Sequence, residues 1–222
     1  MKKIFDNEYI LKELLMNDKY YSWENSAFFR NKYLNNDERI SLLRKQFLKN
    51  KNVTTEDILG WKKISFQSKV EWLVFESMTK KEALLFTFEL IKIIMPLRNS
   101  GTCKRVIKVG NKFFENNFNH TEFKEELHWV SNETCGAHQC DPVYPWVGYA
   151  MDYFIDALES ELNGGSKEYS SLGTVYTWDT WRFLKDSISY SFTAIREISL
   201  SSDPSMKNKI NVEIKKLVMG YV

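Results

Sequence analysis

Apolar residues return every three or four positions along most of this chain, with charged residues between them. That spacing marks helices that bury one face. Ile4, Tyr9, Ile10, Leu11, Leu14 and Leu15 form a first helical stripe. A second, short helix is expected over Trp23 to Leu34. A third follows Asn36 or Asp37, where Ile40, Leu43, Phe47 and Leu48 line up. TTEDILGW (54–61) reads as a short capped turn closed by Gly60. SFQSKVEWLVFESM (65–78) reads as a helix with Phe66, Val70, Leu73 and Val74 on one face.

Boundary chemistry sharpens the next segment, MTKKEALLFTFELIKIIMP. Thr79 and Glu82 have the spacing of a capping box, in which each side chain satisfies a backbone donor of the first turn. Pro96 cannot continue the hydrogen-bond ladder and should end the helix. Between them Leu84, Leu85, Phe88, Ile91, Ile94 and Met95 cover more than half the circumference, which predicts a central, buried helix. Two amphipathic helices are expected over 102–118 and 121–131. A brief strand-like alternation at Val106–Val109 fits helix equally well. After Pro142 or Pro145 a long helix carries VGYAMDYFIDALESEL and should stop at Asn163-Gly164-Gly165. A polar loop (166–175) then leads to a helix from about Tyr176 to Leu200. Asp203-Pro204 pairs an N-cap residue with proline at the first helical position, opening a last helix that ends near Gly220. No internal repeat, linker or low-complexity tract interrupts the pattern. The expected fold is all-α, a multi-helix, orthogonal or bundle-like single domain over 1–222.

Composition narrows the class of partner. The 222 residues suffice for a substantial core, and 43% apolar with 27% charged residues is ordinary globular usage. Aromatics are abundant, at 15%. The net charge is only +2, with Lys and Arg scattered among Asp and Glu. A polyanion binder concentrates its positive charge on one face, so nucleic acid is not the expected partner. The two lysines at the start are followed by Asp6, Glu8, Lys12 and Glu13, not by an apolar signal core. No apolar run approaches the ~20 residues that span a bilayer, so a membrane is not expected either. Three cysteines cannot all pair internally, which suits a reducing compartment. These features predict a soluble, cytoplasmic protein.

The densest candidate chemistry lies in HWVSNETCGAHQCDPVYPW (128–146). Cys135, His138 and Cys140, with His128 upstream, are ligand types that could close a tetrahedral zinc site. The spacing lacks the two separated ligand pairs that zinc sites use, and Asn132, Gly136, Asp141 and Pro142 favour turns. The stretch is therefore expected to be a structural loop between helices, with no metal and no cofactor. A small zinc-binding enzyme, or a zinc-stabilised domain centred on 128–141, is the alternative. A phosphate-binding glycine loop, a nucleophile elbow and an H-E-x-x-H helix are all absent. The paired carboxylates Asp152/Asp156 and Glu125/Glu126 read as solvated residues of polar helix faces. No catalytic residue is expected.

Two aromatic clusters remain. KYYSWENSAFF (19–29) carries Tyr20, Tyr21 and Trp23, which span only four residues and cannot all face one core. VYTWDTWRF (175–183) carries Trp178, Trp181 and Arg182, at the i, i+3, i+4 spacing of one helix face. Tyr, Trp and Arg dominate binding energy at protein interfaces, so these six are the candidate partner-binding residues. The plainer alternative is that the rings cover the ends of the helix bundle.

WLVFESMTKKEALLFTFELIKIIMPLR (72–98) resembles the fifth family of immunity proteins from bacterial polymorphic toxin systems. That family carries a helix of the form R-x-x-L-a-x-x-t-a-x-x-v-L-P-x-W-e. Lys81, Leu84, Thr87, Leu90, Met95 and Pro96 occupy the matching places here. PVYPWVGYAMDYFIDAL (142–158), with Ala150 and Ala157 kept, looks like a bulkier version of the family's later alanine-rich helix. The sequence departs from the pattern at Lys81 for arginine and at Leu97-Arg98 for Trp-Glu. The resemblance implies a helical cytoplasmic protein that binds a cognate toxin domain stoichiometrically and blocks it. A helical scaffold or regulator with no toxin partner is the third reading.

Overall fold

The computed structural model describes residues 4–6, 52–60, 65–98, 101–116, 118–140, 145–171, 174–201 and 204–221. The helices expected over Trp23 to Leu34 and after Asn36 or Asp37, and the candidate residues Tyr20, Tyr21 and Trp23, lie outside the described residues. The described residues form eight helices and two short antiparallel strand pairs, an all-α, multi-helix fold. By contacts the chain divides into two compact units, Met1–Met78 with Val218–Val222, and Thr79–Leu217.

In the first unit, strand β1 (Ile4–Asp6) pairs antiparallel with β2 (Asn52–Thr54) in the register Ile4↔Thr54. Ile4 thus opens a strand, not the helix its spacing suggested. Position 4 is spent on a backbone ladder with a segment almost fifty residues away, a partner that local periodicity does not reveal. Thr54 ends β2 and caps helix α1 (Thr55–Gly60). Its N–H and hydroxyl donate to the Asp57 carboxylate at 2.8 and 2.7 Å, and the Asp57 N–H returns a bond to its hydroxyl. Helix α2 (Phe66–Ser77) is capped by Ser65, whose hydroxyl accepts from Ser68 N–H at 3.0 Å. Val70, Leu73 and Val74 are buried as expected, and Lys69 donates to the Leu59 carbonyl at 2.8 Å, tying α2 to α1.

The second unit begins with the capping box that the sequence predicts. Thr79 N–H donates to Glu82 at 2.7 Å while Glu82 N–H donates back to the Thr79 hydroxyl. Helix α3 (Lys80–Ile94) buries Leu84, Phe88 and Ile91, then tightens into a 3₁₀ turn, Met95–Arg98, that holds Pro96. Helix α4 (Gly101–Glu115) buries Cys103, Val106 and Val109, a helical and not a strand period. Phe88 of α3 stacks on Phe154 at 5.5 Å and meets Phe114 of α4 at 5.4 Å.

Helix α5 (His120–Cys140) overturns the loop expected at 128–146 over residues 128–140. Asn119 caps it, accepting from Thr121 N–H at 3.0 Å. Phe123, Leu127, Val130 and Thr134 are buried at helical spacing, so the packed stripe runs on through Asn132. Burial along a neighbouring helix outweighs the turn preference of single residues. Helix α6 (Pro145–Leu162) starts with proline at its first position and packs against α3, α4 and α5. Its end is the glycine stop that the sequence predicts: Gly164 and Gly165 have φ of 85° and 98°, and their N–H groups donate to Glu161 and Ser160 carbonyls in a Schellman motif.

The polar loop expected at 166–175 is instead a hairpin. Strand β3 (Ser166–Ser171) pairs with β4 (Thr174–Asp179) in the register Lys167↔Trp178. The next helix, α7 (Thr180–Ser201), therefore starts four residues later than expected, where the Asp179 carboxylate accepts from Arg182 N–H at 2.8 Å. A β-branched and aromatic run, Val175–Trp178, suits a pleated surface and carries the strand up to this cap. Helix α8 (Pro204–Tyr221) closes the described chain, and Ile210 and Ile214 are its buried positions within the second unit.

Candidate partner-binding face

Helices α6 and α7 approach closely because small side chains meet between them. The Ser187 hydroxyl donates to the Ala150 carbonyl at 2.7 Å, and Ala150, Ser187 and Ser191 are all buried. Larger residues are left to the flank, where the rings of the two helices interleave. On α6, Trp146, Tyr149 and Tyr153 recur at i, i+3 and i+7. Tyr190 of α7 lies 5.9 Å from Trp146, 5.1 Å from Tyr149 and 5.4 Å from Tyr153, in each case near parallel. Tyr153 leans on Phe183, and Phe183 on Trp178 at 5.6 Å. The result is a continuous strip from Trp146 to Trp178. Except for the buried Phe183, each ring of the strip is half-buried, with one part packed and another in water.

Arg182 completes the strip at the hairpin end. Its guanidinium carbon sits 5.2 Å from the Trp178 ring centroid, and its Nε meets Asp186 at 3.2 Å. More than half of the side chain remains exposed. Burial pushes the Asp186 carboxyl up, with Arg182 and Lys185 opposing. Burial also raises the Tyr190 phenol, helped by the charge on Asp186. The Tyr190 phenol therefore keeps its proton near neutrality and can donate.

Of the candidate residues in 175–183, Trp178 and Arg182 do come together, but not as one helix face. Trp178 is on β4, directly before the cap, so the i, i+3, i+4 argument fails because the helix begins at Thr180. Trp181 is half-buried, one residue into α7. Sequence reasoning missed Trp146, Tyr149, Tyr153 and Tyr190. The i, i+3, i+7 spacing on α6 was the available signal. It also missed Trp129, which is 53% exposed on α5 with the Arg105 guanidinium 5.1 Å from its ring. Arg105 is held in place by a two-pronged ion pair with Glu133.

Behind the hairpin lies a buried charge network. The Lys167 ammonium of β3 meets Asp156 and, at 2.8 Å, Glu159, both on α6. Burial works against the Lys167 charge, but the two carboxylates outweigh it and hold its pKa above the ordinary range. One turn earlier, Asp152 accepts from the Thr134 hydroxyl at 2.9 Å. Burial, then the charge of Asp156, push the Asp152 carboxyl up to about 6. The solvated reading of Asp152 and Asp156 is thus corrected: Asp156 is 6% exposed and turned into the protein. Its partner comes from a strand that the sequence had presented as loop.

Of the cysteine and histidine candidates, the side chains of His138 and Cys140 lie outside the described ones, and the others make no comparable centre. Cys135 is an exposed free thiol, raised by burial and by the charges of Asp152 and Asp156, which disfavours the thiolate a nucleophile needs. Cys103 is buried on α4, and His128 is exposed on α5. Positions 135 and 140 lie on one continuous helix. Among the described residues no group of three His, Cys, Asp or Glu is placed to hold a metal, and no helix is long and apolar enough to cross a membrane. A cleft of about 470 Å³ at the α4–α5 turn is lined by Lys112, Glu126 and Phe118, and its lysine and glutamate are already paired with each other. Comparison with known proteins finds no matching family, no matching curated protein and no matching solved structure.

Proposed function

We propose that this protein is a stoichiometric binding protein of the immunity kind, which neutralises a cognate toxin domain in the cytoplasm by covering it. The observation that supports the reading is the α6/α7 strip. Its Trp, Tyr and Arg side chains are the types that anchor protein interfaces. They are stacked on one another before any partner arrives, so little rotamer freedom remains to be lost on binding. The immunity class itself comes from the resemblance at 72–98 and 142–158. The protein acts in this reading by occupancy and not by turnover.

Co-expression with the toxin domain encoded next to its gene should restore growth, and calorimetry should give a one-to-one complex. Tyr190→Ala and Arg182→Ala should each weaken that complex at least tenfold, the size of effect that marks an interface anchor, with circular dichroism unchanged. Wild-type affinity in both folded variants would remove the strip as the interface. A protein that binds no such toxin domain, and leaves cells unprotected, would end the immunity reading.

A further inference from the structure

Among the described residues, two sets of polar contacts tie the hairpin to α6, while Trp178 packs on Phe183 of α7. At its base, Thr180 is buried and its N–H donates to the Gly165 carbonyl at 3.2 Å. The Thr180 and Ser160 hydroxyls lie 3.0 Å apart. These contacts fix where β3 leaves α6 and where α7 begins. They do not reach along the strands. The second attachment is Lys167, whose ammonium is held between Glu159 and Asp156, about one and two turns into α6 from its end.

Register carries that attachment across the sheet. Lys167 stands directly opposite Trp178, and side chains of directly opposed residues share one face of an antiparallel pair. The exposures agree: Lys167 and Trp178 are half-buried, whereas Ser166, Glu168, Thr177 and Asp179 on the alternate positions are exposed. The lysine that grips α6 and the tryptophan that ends the strip therefore lie on the same, inward side of the hairpin. Trp178 in turn supports the Arg182 guanidinium. We propose that Lys167 is a positioning residue of the partner-binding face: by clamping β3 to Asp156 and Glu159 it holds Trp178, and through Trp178 the Arg182 guanidinium, in their binding arrangement. The clamp rests on the strip being the partner face, but the order of the hairpin can be read without any partner.

The test labels the protein with 5-fluorotryptophan, assigns the residue 178 resonance by its loss in Trp178→Phe, and follows hairpin amide exchange in parallel. Lys167→Met should move or broaden that one resonance and speed exchange at 167–178 at least tenfold, while amides of α6 and α7 stay protected. Lys167→Arg, which keeps a cation between the two carboxylates, should restore both signals. Because Lys167→Met leaves Asp156 buried without its cation, the double variant Lys167→Met/Asp156→Asn is the safeguard: it removes the clamp without stranding the buried Asp156 charge, leaving only the less buried Glu159 without its cation, and should show the same loosened hairpin. An unchanged residue 178 resonance and unchanged exchange in either folded variant would overturn the proposal. So would failure of both variants to fold, since the network would then be a requirement of the core and not a clamp. With the cognate toxin domain, Lys167→Met should lose affinity to about the same degree as Trp178→Ala; a loosened hairpin with wild-type affinity would also overturn it. If no toxin domain binds even the wild-type protein, the proposed function falls and the hairpin measurements still decide the clamp.

Discussion

At the scale of single residues, Asp152 and Gly110 have the most to say about the interior. Asp152 is kept neutral by its surroundings at a pH where an ordinary aspartate is charged. A carboxyl whose pKa is raised on folding binds its proton more tightly in the folded state, so folding is strengthened as pH falls through about 6 and the burden returns above it. Asp152→Asn should accordingly stabilise the protein by about 2 kcal/mol at neutral pH, and by almost nothing near the ordinary aspartate pKa. Thermal melts of both proteins across that range check this; parallel curves at every pH would show that Asp152 carries no such burden. Gly110 is a matter of space. A Cβ there would lie 2.2 Å from the Phe88 ring. Gly110→Ala should cost about 1–3 kcal/mol by overpacking. Pairing it with Phe88→Leu should recover part of that loss, and a single variant as stable as wild type would contradict the contact. The sequence marks Phe88 as core through its helical period. It gives no sign that Gly110 is where α4 comes against it, since that depends on which helices meet.

At the scale of elements, the termini were legible where one residue's chemistry settles them. Thr79 with Glu82, Pro96, and Asn163-Gly164-Gly165 each act within a turn of the chain, and each appears as read. Elements whose state depends on a distant partner were not legible. Ile4–Asp6 becomes a strand only through Asn52–Thr54, and the Lys167–Trp178 hairpin pair has ion-pair partners on α6 that lie outside the hairpin. Helix α5 failed in the opposite sense. Gly136 and Asn132 argued for a turn locally, while the stripe Phe123, Leu127, Val130, Thr134 argued for helix, and packing on α6 favoured the stripe. The candidate face was half legible for the same reason: Trp178 and Arg182 were in view, but the α6 rings that extend them needed α7 beside them. A continuous α5 also bears on the metal question. Because Cys135 and Cys140 sit on one helix and not on two turns of a loop, chelator treatment should leave the melting temperature unchanged. A structural zinc would contribute directly to folding, so a drop of several degrees on chelation, abolished in Cys135→Ser/Cys140→Ser, would restore the zinc reading.

For the whole molecule the question is how it would meet the partner proposed for it. Inhibitors that imitate nucleic acid carry a large excess of one charge, and their association is steered over long distances. This chain carries +2 over 222 residues. Many of the charges near the candidate face are engaged locally, as Arg182 is with Asp186 and Lys167 with Asp156 and Glu159. What the proposed face offers is an aromatic surface with the exposed Arg182 guanidinium, which would act at contact and not at a distance. Association should therefore proceed at the unsteered rate of about 10⁵–10⁶ M⁻¹s⁻¹ and slow less than about threefold when salt rises from roughly 50 to 300 mM. Affinity should reside in a slow off-rate, the step that anchor residues control. Stopped-flow mixing of the protein with its cognate toxin domain across that salt range tests this. An on-rate above about 10⁸ M⁻¹s⁻¹ that collapses with salt would mean that a charged surface elsewhere on the chain makes the encounter. The strip would then have to be abandoned as the first point of contact, even if Tyr190→Ala still weakened the final complex.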